Sequence, residues 1–214
     1  MDAKTWDVYV VIDLFLLLLI GIGPKIALVP FLELTKGMDD KTRASVTRKM
    51  LTTAAVVAVV LVVLGELLRR LLHFSTGALG IAGGLVLVII AVSMILSSGD
   101  PDTHRGLQGK DPAQLAVFPL AVPYLLNPAG IVVLVTESAE AGSVGHLAVV
   151  LGLLALVLAI DVAVFRGANR ISAHVDESRM LVTEKVFGFL LAALAVQLAL
   201  NGLDDLGLIH LAAH

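Results

Sequence analysis

The sequence predicts an all-α membrane protein with six transmembrane helices, arranged as two inverted three-helix repeats. Of its 214 residues 58% are hydrophobic and 15% are charged, whereas soluble domains carry about 25% charged residues. The apolar residues also form six blocks. The length of each block is close to the ~20 residues that a helix needs to cross a bilayer. These blocks are Val8–Leu34, Met50–Leu72, Gly77–Ser97, Leu115–Thr136, Leu147–Phe165 and Leu181–Leu203.

A single numerical offset predicts the repeat. Adding 104 to the residue number takes Gly23-Pro24 to Asn127-Pro128, and it takes Gly84–Leu96 to the similar stretch Gly188–Leu200. Because each half would contain three crossings, the two halves would enter the membrane in opposite senses. Many secondary transporters share this inverted arrangement.

A polar stretch rich in Gly and Pro divides the chain and predicts a linker loop at residues 98–113. It separates a first repeat, residues 1–97, from a second repeat, residues 114–214. Most of the 15 Lys and Arg residues lie after the first, third and fifth predicted helices, and short cytoplasmic loops carry the excess of basic residues. We therefore expect a multi-pass protein of the cell inner (cytoplasmic) membrane, with both termini outside and the central loop in the cytoplasm.

Prolines interrupt the first and fourth predicted helices near the bilayer midplane. A proline inside a helix removes one backbone hydrogen bond, so Pro24 and Pro128 leave the carbonyls of Ile20 and Tyr124 without their usual partners. Proline is also favoured as the first residue of a helix, and Asn is a good cap before it. We therefore expect each of these helices to consist of two half-helices, the second of which starts at the proline, with Asn127 as the cap in the fourth.

The two restarted helices are predicted to form one binding site between the halves. A helix N-terminus offers N–H groups and the positive end of a dipole, which suits a carboxylate, and small residues let a ligand approach the backbone. The alternative is a plain proline kink, whose freed backbone groups are bonded by neighbours or water. The predicted substrate-binding residues are Gly21, Gly23, Pro24, Lys25, Asn127, Pro128, Ala129 and Gly130.

Four polar residues within the apolar blocks are further candidates. Lys25 can pair with a substrate carboxylate, act as a fixed cation in place of a coupling ion, or extend along its helix to water. Asp161 is either an interfacial carboxylate near Arg166 or a group that couples transport to protons or pairs with Lys25. Ser93 and Gln197 occupy matching positions of the two halves, where they can hydrogen-bond across helices or line a pocket.

Four motifs in order carry a family resemblance. They are Thr35-Lys36-Gly37 after the first break, "GIAGGLVLVIIAVSMIL" in the third helix, "FPLAVPYLLNPAGI" in the fourth and "GFLLAALAVQLALNG" in the sixth. On these motifs the chain resembles the MarC family of bacterial and archaeal inner-membrane proteins. The resemblance implies a six-helix bundle that transports small neutral amino acids such as glycine and alanine.

The two break motifs depart from the family pattern. The family has Asn-Pro in the first helix and Gly-Pro-Gly in the fourth, whereas this chain has Gly23-Pro24-Lys25 and Asn127-Pro128-Ala129-Gly130. The Asn therefore stands in the other half of the chain, where Asn127 can supply the polar contact that the first helix has lost.

These patterns favour a secondary transporter of small neutral amino acids that works by alternating access around the two breaks. The sequence has no HExxH, nucleophile elbow or P-loop, so we expect no enzymatic activity, no metal site and no cofactor, and coupling to H⁺ or Na⁺ stays open. A channel, a lipid-handling protein or a structural membrane protein without amino-acid transport is the alternative. The expected partners are a small-molecule substrate and the lipid bilayer, with no nucleic acid, and the oligomeric state is not determined.

Overall fold

The described part of the chain is entirely helical. The computed structural model describes residues 8–96, 111–140, 143–171 and 177–210, and no strand occurs within these ranges. An irregular stretch with two cis prolines, Ala116–Leu125, lies before α6 and is called the cis-proline segment below. The helices are α1 Val8–Gly21, α2 Pro24–Leu34, α3 Asp40–Leu72, α4 Thr76–Leu96, α5 Pro112–Leu115, α6 Pro128–Glu140, α7 Val144–Ile171 and α8 Glu177–Asp205.

Five helical spans are long and apolar enough to cross a bilayer. They are α1 together with α2, α3, α4, α7 and α8. A sixth candidate consists of α5 and the cis-proline segment followed by α6, two parts that meet at an angle of 69°. The coarse prediction is thereby confirmed: the protein is a multi-pass integral membrane protein, and its described part is all-α with five or six apolar spans. The predicted linker at residues 98–113 lies outside the described residues except at its end, where Pro112 already begins α5.

Helix α3 begins ten residues before the apolar block that predicted it. The carboxylate of Asp39 accepts hydrogen bonds from the N–H groups of Lys41 and Thr42, at 3.1 and 3.2 Å. This N-cap satisfies backbone donors that an unprotected helix end would leave unpaired. The helix therefore starts at Asp40. The apolar block predicted a later start because hydropathy detects the apolar part of a helix and not its polar extension.

The chain before α6 differs from the predicted half-helix. Helix α5 has only four residues, and within the cis-proline segment the backbone is extended at Phe118 and at Val122. Each of these residues precedes a proline, and the residue before a proline is disfavoured in the helical region. Regular helix resumes only at Pro128.

Helices α4 and α8 pack closely along one another in antiparallel sense. Gly84 of α4 faces Ala195 of α8, and further along α4 Ala91 faces Gly188 of α8. A Cβ atom on Gly84 would lie 2.7 Å from the carbonyl oxygen of Ala195, and one on Gly188 would lie 3.2 Å from that of Ala91. Helix association in lipid depends on such close van der Waals contact, which small residues permit.

Two buried apolar clusters surround the starts of α2 and α6. The larger cluster joins α1, α2, α3, the cis-proline segment, α6 and α7. The smaller cluster joins α2, α4, α6 and α8, and it contains Ile26 and Ala129 from the first turns of α2 and α6. Both helix starts are therefore held between the α4–α8 pair and the remaining helices.

We expect Gly84→Ala to lower the midpoint of thermal unfolding in detergent. The added methyl group would overlap the backbone of Ala195, and overpacking of this kind costs about 1–3 kcal/mol. The matched control is Gly152→Ala on α7, where no atom lies within 4 Å of the added Cβ, and it should leave the midpoint unchanged or raise it slightly. Loss of helical circular dichroism on heating measures both, and equal midpoints would contradict the close α4–α8 packing.

Candidate functional site

The first break separates α1, which ends at Gly21, from α2, which begins at Pro24. Gly23 is the N-cap of α2, with extended backbone angles, φ −117° and ψ 162°, and it provides no side-chain cap. A Cβ atom on Gly23 would overlap the carbonyl oxygen of Leu19. Proline suits the first position of a helix because its missing N–H would be unpaired there in any case. The chain therefore ends one helix and starts another within two residues.

The second break is organised by Asn127, which is fully buried. Its side-chain Oδ1 accepts a hydrogen bond from the N–H of Gly130 at 3.1 Å. Its backbone carbonyl accepts a hydrogen bond from the N–H of Ile131 at 3.1 Å. These are the bonds of an N-cap, so Asn127 caps the start of α6.

The same residue joins the two breaks to each other. The Nδ2 of Asn127 donates a hydrogen bond to the carbonyl of Ile20 at 2.8 Å, and its backbone N–H donates one to the carbonyl of Gly21 at 2.9 Å. In an uninterrupted helix the Ile20 carbonyl would accept from the residue at position 24, but Pro24 has no N–H. A buried carbonyl without a partner is costly, and here a side chain from the second half of the chain supplies the missing donor.

Gly21 and Gly130 bring the two backbones into direct contact. A Cβ atom on Gly21 would lie 2.6 Å from the amide nitrogen of Gly130, and one on Gly130 would lie 2.7 Å from the carbonyl carbon of Gly21. In this structure the space that the missing side chains leave is filled by the opposing backbone. These glycines thus permit the crossing of the two breaks, where the sequence predicted room for a ligand.

The predicted binding residues are brought together at this crossing and differ in exposure. Lys25 is exposed in the first turn of α2, and Pro24 before it is half-buried. The remaining members are buried, namely Gly21, Gly23, Asn127, Pro128, Ala129 and Gly130. The site therefore has a buried centre at Asn127 and one charged side chain at its exposed edge.

Asp161 lies inside the helix bundle. Its exposure is 0%, and α7 continues for ten more residues to Ile171. Neither carboxyl oxygen has a hydrogen-bond partner among the described protein groups, so it pairs neither with Arg166, which is exposed, nor with Lys25. The expected pairing with Arg166 or with Lys25 is therefore absent among the described residues, because the face of α7 that carries Asp161 packs into the core.

Ser93 and Gln197 lie at exposed positions of α4 and α8. The Ser93 hydroxyl donates to the carbonyl of Ile90 in its own helix at 2.7 Å. The Nε2 of Gln197 donates to the Oδ1 of Asn201, also in its own helix, at 2.7 Å. The expected hydrogen bonds across helices are therefore replaced by bonds within each helix.

A partly buried polar contact that the sequence did not reveal lies at the C-terminal end of α6. The Nε2 of His146 lies 3.0 Å from the Oε2 of Glu137, and His146 is 8% exposed. Next to it, the Ser138 hydroxyl accepts a hydrogen bond from the N–H of Glu66 in α3 at 2.9 Å. Within the described part of the chain, no group of three His, Asp or Glu side chains could hold a metal ion.

Comparison with known proteins identifies relatives over nearly the whole chain. A family model described as MarC family integral membrane protein matches residues 8–206. The chain is 29% identical over 206 residues to UPF0056 membrane protein YvbG of Bacillus subtilis, covering 93% of this chain and 94% of that protein. It is 26% identical over 175 residues to a UPF0056 membrane protein of Methanocaldococcus jannaschii, covering 81% and 85%.

A third relative carries a location in its name. The chain is 26% identical over 196 residues to UPF0056 inner membrane protein YhgN of Escherichia coli K12, covering 90% of this chain and 95% of that protein. No solved structure matches the chain.

We expect Asn127→Ala to destabilise the fold. The substitution leaves the partly buried carbonyl of Ile20 and the buried N–H of Gly130 without their partners, and an unsatisfied buried group costs about 1–3 kcal/mol. Asn127→Asp keeps the acceptor for Gly130 but loses the donor to Ile20, so it should also be less stable than the unmodified protein. The matched control is Asn201→Ala, at an exposed position of α8.

Denaturant unfolding followed by circular dichroism in detergent measures these differences. An Asn127→Ala variant as stable as Asn201→Ala would contradict the role of this side chain in joining the breaks.

Proposed function

The chain belongs to the MarC family of integral membrane proteins, and from this premise we propose that it is a secondary transporter of small neutral amino acids. The observation that carries the proposal is the meeting of the two helix breaks, where Asn127 bonds the carbonyls of Ile20 and Gly21. Discontinuous helices that meet between two halves of a transporter commonly form its substrate site. The relatives' names carry no activity, so the glycine and alanine class rests on the family resemblance and on the small residues at the crossing.

The contacts of α4 with α8 support an inverted repeat. Under the offset of 104, Gly84 corresponds to Gly188 and Ala91 corresponds to Ala195. Applying the offset to both partners therefore turns the contact of Gly84 with Ala195 into the contact of Gly188 with Ala91. Both contacts are present in the structure. A two-fold axis in the membrane plane would generate this pair of contacts, and rigid movement of one repeat against the other would then give alternating access.

The direction of the helices supports six spans. Helices α4 and α8 are antiparallel, so the chain must cross the membrane an even number of times between them. Helix α7 is one of these crossings. The bent pair that ends in α6 is therefore best counted as the second crossing and not as a re-entrant loop.

The two helix starts differ in what they offer to a substrate. Helix α6 is capped by Asn127, whose Oδ1 accepts from Gly130, whereas Gly23 provides no side-chain cap for α2. The first-turn N–H groups of α2 are thus the ones that suit the carboxylate of a zwitterion. Lys25 lies in the same turn and is exposed, so its ammonium group adds attraction for the same carboxylate.

Alternating access requires the crossing to open. In the present conformation Gly21 and Gly130 are in contact, and a substrate would enter when the two breaks separate toward one side of the membrane. Separation would release the Asn127 amide from the carbonyls of Ile20 and Gly21. These polar groups would then be available to the substrate, whose ammonium group is a donor for the two carbonyls.

The test of the proposed function is counterflow in proteoliposomes. Vesicles loaded with unlabelled glycine should transiently accumulate labelled glycine or alanine from outside, because a carrier exchanges one for the other. Empty vesicles and vesicles with Asn127→Ala, compared per folded protein, should not. Equilibration without transient accumulation would favour a channel, and no uptake by folded protein would contradict amino-acid transport.

We expect Lys25→Gln to raise the KM for glycine counterflow and to leave thermal stability unchanged. The change removes the charge in the first turn of α2, and an exposed side chain contributes little packing. Lys49→Gln, an exposed lysine on α3, is the control and should keep the KM. An unchanged KM in Lys25→Gln would contradict binding of the carboxylate at the start of α2.

A further inference from the structure

We infer that Asp161 is the group that carries the proton in proton-coupled transport by this protein. The inference rests on the proposed function and assigns its coupling ion to one side chain. It starts from a carboxyl group that is buried in a membrane-spanning helix and has no hydrogen-bond partner among the described protein groups.

Burial determines the form in which this carboxyl exists in the observed conformation. Asp161 is 0% exposed, and both its oxygens lie within the protein without partners. An ionised carboxylate that is buried and unpaired is very unfavourable, so such groups become neutral by binding a proton. The structure therefore favours the protonated acid, which has no net charge to desolvate.

The apolar neighbours of Asp161 belong to the cluster that contains the first break. Val157 and Phe165 lie one helical turn before and after it on α7 and are buried. Both belong to the larger core cluster, together with Ile22 and Ala27, which flank the break between α1 and α2. A change in the packing at the break would therefore change the environment of this carboxyl.

An aromatic contact fixes the level of Asp161 along α2. The rings of Phe31 and Phe165 meet edge to face, with centroids 5.1 Å apart and planes at 75°. With six alternating spans, α2 and α7 run in the same direction. Asp161, one turn before Phe165, then lies level with Ala27, one turn before Phe31 and next to the start of α2.

The charged and titratable groups on the neighbouring elements that the structure describes form no hydrogen bond with Asp161. Helices α1, α2 and α3 pack against α7, and none of their described side chains is a hydrogen-bond partner of Asp161. In α3 such groups are confined to the polar ends, residues 40–49 and 66–70. The others are Tyr9 and Asp13 on α1, Lys25 and Glu33 on α2, and His146, Arg166 and Arg170 on α7 itself.

A single carboxyl suits a proton better than a metal cation. Hard cations take several oxygen ligands at once, and within the described part of the chain no group of three His, Asp or Glu side chains that could hold a metal ion is found. A proton needs only one oxygen. The counterpart of Asp161 under the offset of 104 is Val57, so the proposed carrier occurs in one half only.

The proton step balances over one transport cycle. When the α2–α7 contact opens to one side, the carboxylate accepts a proton from water there and an O–H bond forms. Closure buries the neutral acid, as observed. Opening to the other side lets the same O–H bond break and the proton pass to water, which restores the carboxylate. The emptied carrier returns as the carboxylate through a conformation in which water reaches Asp161, so that one proton crosses with each zwitterion.

The test separates exchange from gradient-driven uptake in Asp161→Asn. Glycine counterflow needs no net proton movement, so the variant should retain it. Uptake driven by an imposed pH gradient should fall to the level seen without a gradient. Asp13→Asn, which changes an exposed carboxyl on α1, is the matched control and should keep both activities.

Each other outcome has a definite meaning. Gradient-driven uptake in Asp161→Asn equal to that of the unmodified protein overturns the inference. Uptake that depends on external Na⁺ and not on the pH gradient also overturns it. Absence of counterflow in the unmodified protein instead contradicts the proposed function.

Infrared spectroscopy of reconstituted protein provides a readout that does not depend on transport. The unmodified protein should have a protonated carboxylic-acid C=O band at neutral pH, and Asp161→Asn should lack it. If Asp161→Asn fails to fold, Asp161→Glu keeps the group and should shift the band without removing it. Absence of the band from the unmodified protein overturns the inference whatever the transport assay gives.

Discussion

The arrangement of the two breaks depends on one carbonyl group that its own helix cannot satisfy. Pro24 has no N–H for the carbonyl of Ile20, and the lipid interior offers no water to replace it. The donor comes from Asn127, 107 residues further along the chain. Because that bond has a fixed length and direction, it sets where the two breaks cross, and the crossing in turn requires glycine at positions 21 and 130.

Two kinds of contact hold the halves together, and they differ in how they can change. The α4–α8 pair is held by steric fit at Gly84 and Gly188, and no substrate can substitute for that contact. The breaks are joined by hydrogen bonds of Asn127, whose polar groups can exchange a protein partner for a ligand. A bundle built this way has a fixed pair on one side and an exchangeable contact on the other, which is what the proposed rocking around a binding site requires.

The sequence predicts the spans and the positions of the breaks, because apolar block length and proline chemistry are local properties. It also identifies the unpaired carbonyl of Ile20 and the capping ability of Asn127. It does not reveal that the Asn127 side chain donates a hydrogen bond to the Ile20 carbonyl, since that contact depends on tertiary packing. The burial of Asp161 is hidden for another reason: the lipid face and the core face of α7 are both apolar, so periodicity cannot tell them apart. The extended backbone at Phe118 and Val122 is a local effect, because each residue precedes a proline. Pro119 and Pro123 are therefore signals for it in the sequence.

The polar groups are distributed unequally over two halves of similar shape. Asn127 corresponds to Gly23 under the offset of 104, and Asp161 corresponds to Val57. The second half thus provides both the donor that joins the breaks and the buried carboxyl, while the first half provides the uncapped start of α2 with Lys25. If the halves are related by a two-fold axis, the backbone of the two helix breaks follows that symmetry and these side chains do not. A zwitterion has two different charged ends, and a site with different polar groups on its two sides can orient it, which a symmetric site could not do.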